Sequence, residues 1–382
     1  MGALDKCYNI ADLAALAKRR MPRGLHEFID RGAEDEVTTR ENREAIKRVL
    51  IRQRVGIDVA ATDCTATVLG RGQAMPITIG VTGMIGMVSH RGEQKLGAAA
   101  AAAGIPYTIG SHNFASLAEM REICGDLLWR QLYPPRTPDL LQHQLRITRE
   151  AGIRVLVMTM DSPVAGNREY MLRNGFMPGM FNLRAALDAL TSPRWLLGTL
   201  LRYQLSGGLP QLSDMPEGHR IFFGKGNTGL CSPAADFTWD TVRQIRREWG
   251  GMLVLKGLSA VEDAITAAEI GVDGIIVSNH GGRSLDGCVP SMGALPGIVD
   301  AVGSRAQVMV DGSFVRGVDV LKAIALGAKC VMVGRATAFG LAAGGEAGVA
   351  RALAILRDEL HRGMALIGVR RLDELNRANL QF

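Results

Sequence analysis

The chain has 382 residues, 47% hydrophobic and 21% charged, with 46 glycines and a formal net charge of +6. That is enough apolar material for a large core, and a single α/β barrel with insertions reaches this length. Lys and Arg are scattered with few aromatics among them, which argues against nucleic-acid binding and suits acidic small molecules or an anionic surface.

Residues 1–60 read as an N-terminal helical extension, because MGALDKCYNIADLAALAKRR mixes charged and apolar residues at helical spacing. It shows no apolar core of a signal peptide. No run of about twenty uninterrupted apolar residues predicts a membrane span. Cys7, Cys64, Cys124, Cys231, Cys288 and Cys330 lie far apart without C-x-x-C or nearby His, so they read as free thiols of a reducing compartment.

Beyond the extension, short β-branched runs alternate with helix-like segments. The runs are 75–83, 105–110, 127–133, 155–161, 253–257, 275–280, 306–312 and 330–336. Near-continuous apolar character predicts parallel strands buried on both faces. Ser116-x-x-Glu119 and Ser259-x-x-Glu262 have the spacing of capping boxes. Gly104, Gly271 and Gly327 stand where helices should stop. Strand–helix units in this number predict an α/β fold, a (β/α)8 TIM barrel within one domain spanning 1–382. The interval 162–236, after the fourth strand, breaks the rhythm and reads as a long functional insertion.

Barrel chemistry gathers where strands end. Those ends carry Thr82-Gly83, Gly110, Gln131, Tyr133, Thr159, Asp161, Lys256, Ser278, His280, Asp311 and Gly334-Arg335. His280 is a proton acceptor near neutral pH, and Arg283, past Gly281-Gly282, has the fork geometry that grips a carboxylate. Lys256 reads as a snorkelling lysine, a Schiff-base lysine of an aldolase, or a fixed positive charge beside an electron-accepting ring. Asp161 reads as a helix cap or as the partner orienting His280. Asp311-Gly312 and Gly334-Arg335, after the seventh and eighth strands, predict a phosphate site.

SNHGGR (278–283), VLKG, RQLY, DG and VGRA, in this order and spacing, resemble the FMN-dependent 2-hydroxy acid dehydrogenase/oxidase family. GAEDEVTTRENREA (32–45) is similar to that family's N-terminal signature, and the resemblance runs nearly end to end. It implies FMN as cofactor and oxidation of an L-2-hydroxy acid to a 2-keto acid. It implies His280 as base, Asp161 as its support, Arg283 and Arg168 as carboxylate ligands, and Tyr133 as a hydrogen-bond partner of the substrate. Val81, Thr82, Gly83, Gln131, Thr159 and Ser278 would line the flavin ring, with Lys256 near its N1–C2=O edge. Asp311, Gly312, Ser313, Gly334 and Arg335 would hold the ribityl phosphate tail.

Three positions depart from the family pattern. Phe28 stands for an active-site Tyr, Val315 for an Arg near the phosphate, and Gly110 for a flavin-contacting Ser. Loss of the charged contact at 315 costs about 1.5–3 kcal/mol, or about ten- to a hundredfold in FMN affinity. Phe28 favours an aryl or aliphatic side chain on the substrate.

In segment 176–213, Leu183, Leu187 and Leu190 have helical spacing, Ser192-Pro193 reads as N-cap and N1, and Arg184, Arg194 and Arg202 face the single acid Asp188. The segment reads as an active-site lid or as an interfacial element on an anionic bilayer. SPRW…GLPQL resembles the membrane-associated loop of quinone-coupled family members, and Gly83 stands where family oxidases carry Ala. These features imply a quinone acceptor at the inner face of the cell membrane, and the resemblance implies a homo-tetramer. Rival readings are a Schiff-base aldolase, a diverged flavin-binding barrel, an oxygen-using oxidase, and an FMN barrel acting on a larger substrate.

Overall fold

The structure, a computed structural model, describes residues 2–177, 180–216 and 234–382; Cys231 and part of the expected insertion lie outside these. Eight parallel strands close into a barrel: β1 Ile77–Ile79, β2 Tyr107–Ile109, β3 Leu128–Leu132, β4 Val155–Thr159, β5 Met252–Leu258, β6 Gly274–Val277, β7 Gln307–Asp311 and β8 Val331–Val333. Each overlaps one of the eight runs expected from sequence, and only Met252–Leu258 and Gly274–Val277 reach a residue beyond theirs. The circle closes where Met332 of β8 pairs with Thr78 of β1.

Both faces of the strands are buried, so the runs lack polar alternation, yet successive side chains still point in opposite directions. Trp129, Val155, Val157, Val254, Ile276, Met309, Cys330 and Met332 fill the inside of the barrel. Leu156, Leu255, Ile275 and Val310 instead join the layer under the helices. Two residues beyond the inward set, toward the strand C-termini, come Gln131, Thr159, Lys256, Ser278 and Asp311. The inner wall therefore turns polar at one mouth.

A small hairpin, Ala66–Val68 with Arg71–Gln73, covers the opposite mouth. Its turn residues Leu69 and Gly70 both have positive φ (48° and 73°), as a two-residue hairpin turn requires. Val68 and Leu69 pack onto the inner core, and the Leu69 N–H donates to Gln307 Oε1 at 2.9 Å. Strands this short leave no periodicity to read in sequence.

The N-terminal extension holds helices α1 Ile10–Lys18, α2 Arg23–Asp30 and α3 Val37–Arg48. Leu50–Ile51 then pairs antiparallel with the C-terminal Leu380–Gln381. The last helix, Arg335–Leu366, is long and apolar enough by composition to cross a bilayer, which the sequence reading did not anticipate. It kinks at Gly344–Gly345 and packs against α1 and helices Gly92–Ala102 and Gly317–Ala325, as a core helix does.

The Ser116 hydroxyl caps its helix by accepting from the Glu119 N–H at 3.2 Å, and Gly104, Gly271 and Gly327 take the left-handed turns expected of them. Ser259 does not form a capping box. Strand β5 runs on to Leu258, so the chain enters the helix one residue later and Ala260 takes the N-cap.

Among the described residues of the insertion after β4, the regular elements are mostly helices. Helix Glu169–Asn174 leads into a ribbon, Phe176–Met177 with Met180–Phe181, and then to helix Leu183–Leu190, capped by Asn182. Ser192 and Pro193 occupy the N-cap and N1 positions as expected, without a side-chain capping bond. The helical turns Pro193–Trp195, Leu196–Leu200 and Leu201–Leu205 follow, the middle one a π-type widening. Trp195 Nε1 donates to the Met87 carbonyl at 2.7 Å and Tyr203 Oη to the Gly86 carbonyl at 3.2 Å, which docks this segment on the loop after β1.

Candidate functional site

At the polar mouth, His280 Nδ1 lies 2.8 Å from Asp161 Oδ1. A carboxylate cannot donate, so Nδ1 carries a hydrogen, which in the neutral ring puts the lone pair on Nε2. Nε2 faces Tyr133 Oη at 3.3 Å. His280 has φ of 57°, a left-handed conformation that a non-glycine residue keeps only where its surroundings enforce it. Enforcement comes from Gly281 and Gly282, also left-handed, and from Ser278 Oγ, which accepts the His280 N–H at 3.0 Å. Burial opposes charge on Asp161, but His280 and Lys256 more than offset it and hold the carboxyl below its usual range. Glycine at 257, on a bulge of β5, makes room for this carboxylate: a Cβ there would lie 2.6 Å from Asp161.

Lys256 is buried in the same mouth, its Nζ 2.8 Å from Asp311 Oδ2 and donating to Ser278 Oγ at 2.8 Å. Burial works against the ammonium, but Asp311 and Asp161 outweigh it and raise its pKa. Gln131 Nε2 donates to Thr159 Oγ1 at 2.8 Å. A Cβ on Gly110 would stand 3.0 Å from Val81 and 3.3 Å from Gln131 Oε1, and one on Gly334 3.8 Å from Thr82 Oγ1, so the ends of β1, β2, β3 and β8 meet here. Burial, with Asp161 nearby, raises the Tyr133 phenol and keeps it protonated.

Arg168, Arg283 and Arg335 crowd the rim. Arg168 Nε donates to the Arg283 carbonyl at 3.2 Å, Arg283 to the carbonyls of Arg31 at 2.8 Å and Ile29 at 3.3 Å, and Arg335 to the Gly281 carbonyl at 2.7 Å. Burial, then the charge of Arg283, lowers both Arg168 and Arg335 to about 10. Both therefore stay cationic at neutral pH. None of the three makes an ion pair among the described residues, so their charges are left for anions from outside the chain. The Arg283 guanidinium lies over the Phe28 ring at 5.4 Å, and Phe28 meets Phe176 at 5.8 Å between ring centres.

Sequence reading missed the clasp around His280. Asn42 on α3 and Asn279 exchange side-chain amide hydrogen bonds, both 2.8 Å. The Ala33 N–H donates to the Gly282 carbonyl at 2.7 Å, and a Cβ on Gly282 would lie 2.7 Å from the Thr39 nitrogen. The signature at 32–45 therefore holds the loop that carries His280. Ser162 and Ser284 were also missed: their hydroxyls lie 2.6 Å apart, with Ser162 Oγ 3.3 Å from His280 Nδ1. Adjacency to Asp161 and Arg283 was the only available signal. Beside the expected phosphate turn, Arg43 donates to the Ser313 carbonyl at 3.5 Å and pairs with Asp319, while the Val315 N–H donates to Asp319 Oδ2 at 3.1 Å.

The donor set fits a flavin nucleotide. Gln131 Oε1, Asp311 Oδ1 and Ser111 Oγ are buried at this end without a hydrogen-bond partner among the described residues, which a polar ring edge and a ribityl chain would satisfy. A buried ammonium and unpaired guanidinium groups match an electron-rich ring and a phosphate.

Residues 17–382 match the family described as FMN-dependent dehydrogenase. The L-lactate dehydrogenase of Caulobacter vibrioides (strain NA1000 / CB15N) is 38% identical over 371 residues, covering 96% of this chain and 95% of that protein. The crystal structure of the monotopic membrane protein (S)-mandelate dehydrogenase superposes with a TM-score of 0.92 at 34% identity, over 98% of this chain and 99% of the other. A soluble mutant of the membrane-associated (S)-mandelate dehydrogenase from Pseudomonas putida gives 0.82 at 32% identity, covering 98% and 99%. With FMN as its cofactor, the chain belongs to the FMN-dependent dehydrogenase family.

Proposed function

We propose that the protein oxidises an L-2-hydroxy acid to the 2-keto acid and passes the electrons to a membrane quinone. The observation that carries this reading is the Asp161–His280–Tyr133 array with unpaired Arg168 and Arg283 beside it. The two arginines bind the substrate carboxylate and fix its orientation. His280 Nε2 then takes the hydroxyl proton, and Asp161 stabilises the imidazolium that results. Tyr133 Oη donates to the substrate oxygen. FMN, when bound, would supply the acceptor for the hydrogen on the alcohol carbon together with its two electrons. Val81, Thr82, Gly83, Gly110, Gln131, Thr159, Lys256 and Ser278 would surround its ring, and Asp311, Gly312, Ser313, Gly334 and Arg335 would hold its tail.

The charge on Lys256 argues against an aldolase, because a Schiff-base lysine must attack as a neutral amine. Phe28 and Phe176 present an apolar wall beside Arg283, which suits an aryl or aliphatic substrate side chain. Anaerobic bleaching of the flavin against a panel of 2-hydroxy acids is the test. Reduction by an S-configured aryl or branched acid is expected; a flavin that no 2-hydroxy acid bleaches would overturn the reading.

Membrane attachment through the insertion is supported by its surface. Half of the large apolar side chains exposed among the described residues lie there, with Leu183 75% and Leu205 79% accessible. Arg184, Arg194 and Arg202 flank the leucines, as at the surface of an anionic bilayer on the cytoplasmic face. A Cβ at Gly83 would meet its nearest neighbour, His112, at 3.8 Å, so packing does not impose the glycine. Peroxide production as fast as turnover with a quinone analogue would make the protein an oxidase instead.

A further inference from the structure

We propose that Asp188, in the insertion, is a positioning residue for the substrate side of the site, acting through α2. The proposal rests on the reading that Arg283, beside Phe28, receives the substrate carboxylate.

Helix α2 follows Pro22, which supplies no side-chain cap. The first N–H groups of a helix need acceptors that the helix itself does not provide. Here the Arg23 N–H donates to Asp188 Oδ1 at 3.0 Å and the Gly24 N–H to Asp188 Oδ2 at 2.8 Å, from residues 165 and 164 positions apart in the chain. Each carboxylate oxygen serves one donor, and the negative charge sits at the positive end of the helix dipole.

The insertion also grips α2 farther along. Asn174 Nδ2 donates to Glu27 Oε2 at 2.8 Å, and Phe176 packs on Phe28. Contact is close enough at the start of the helix that a Cβ on Gly24 would stand 2.9 Å from the Phe176 Cβ. At its other end α2 delivers the Phe28 ring to the Arg283 guanidinium and the Ile29 carbonyl to both Arg283 and Arg335. A continuous path of contacts thus runs from Asp188 through one short helix to the group that takes the substrate carboxylate. The insertion, on this view, sets the substrate wall as well as meeting the membrane.

The test compares the FMN-loaded parent protein with Asp188→Ala, Asp188→Asn and Gly24→Ala. Anaerobic flavin reduction gives the half-saturating substrate concentration and the limiting rate separately, and amide hydrogen exchange reports on α2. In Asp188→Ala the half-saturating concentration should rise about tenfold, the effect of losing one helix cap. The limiting rate should stay within about twofold, because the proton-transfer groups are untouched. Exchange at the start of α2 should accelerate while the barrel strands stay protected. Asp188→Asn, which keeps one acceptor oxygen, should recover most of the affinity. Gly24→Ala, which wedges the helix from the other side, should reproduce the affinity loss with Asp188 intact.

Exchange and half-saturation both unchanged in Asp188→Ala would overturn the proposal. So would a loosened α2 with unchanged half-saturation, because the link to the substrate side would be missing. If Asp188→Ala fails to fold, Gly24→Ala decides alone, and unaltered half-saturation there overturns the proposal. A parent flavin that no 2-hydroxy acid bleaches is a different failure, that of the functional reading.

Discussion

Replacing His280 by Gln removes the proposed proton acceptor while keeping the size and a hydrogen-bonding end. Anaerobic flavin reduction by the best 2-hydroxy acid should slow by about a thousandfold, with FMN content unchanged; undiminished reduction would remove His280 as the base. Asp161 and Lys256 make opposite pH predictions. A carboxyl held below its ordinary 3.8 contributes stability above that value and loses it as pH falls through the depressed one. An ammonium held above its ordinary 10.5 contributes below that value and loses it as pH rises through the elevated one. The thermal midpoint should therefore be flat across the neutral range and fall at both extremes, and Asp161→Asn should flatten the acid limb. At this scale the gathering of polar groups at one mouth was legible where they sit at strand ends, as His280, Asp161 and Lys256 do. Asn42, Ser162 and Arg43 were not legible, because their partners lie on other elements far away in the chain.

The insertion carries the predictions that belong to an element. Moving a leucine side chain from water into lipid contributes about 1.5–3 kcal/mol. Leu197→Gln with Leu201→Gln should then weaken binding to anionic vesicles by about a hundredfold. Flavin reduction by substrate should be unaffected, since both side chains are exposed and outside the site. Co-sedimentation with vesicles measures the first quantity, and retention of the double variant at parental levels would remove these leucines from the attachment surface. The leucine spacing announced one helix here, but the ribbon of two-residue strands was invisible for the same reason as the hairpin under the barrel. Ser259 shows the other limit: a capping motif fixes a helix start only if the preceding strand stops in time.

Across the whole molecule, the barrel was legible because eight apolar runs, all but one pair at strand–helix intervals, match the strand count of a closed barrel. The clasp of the N-terminal extension on the His280 loop was not, since such pairing depends on closure of the complete fold. Reversing a departure from the family pattern tests how the phosphate end works. Val315→Arg should tighten FMN by about tenfold if the missing charge is not already supplied by Arg43; equilibrium titration of stripped protein with FMN measures it. The hairpin that stoppers the lower end of the barrel has a kinetic corollary. With Val68 and Leu69 packed on the inner core at that end, the keto acid and the oxidant are expected to use the polar mouth one after the other. Initial rates plotted in double-reciprocal form against either reactant should give parallel lines, the mark of two visitors taking turns.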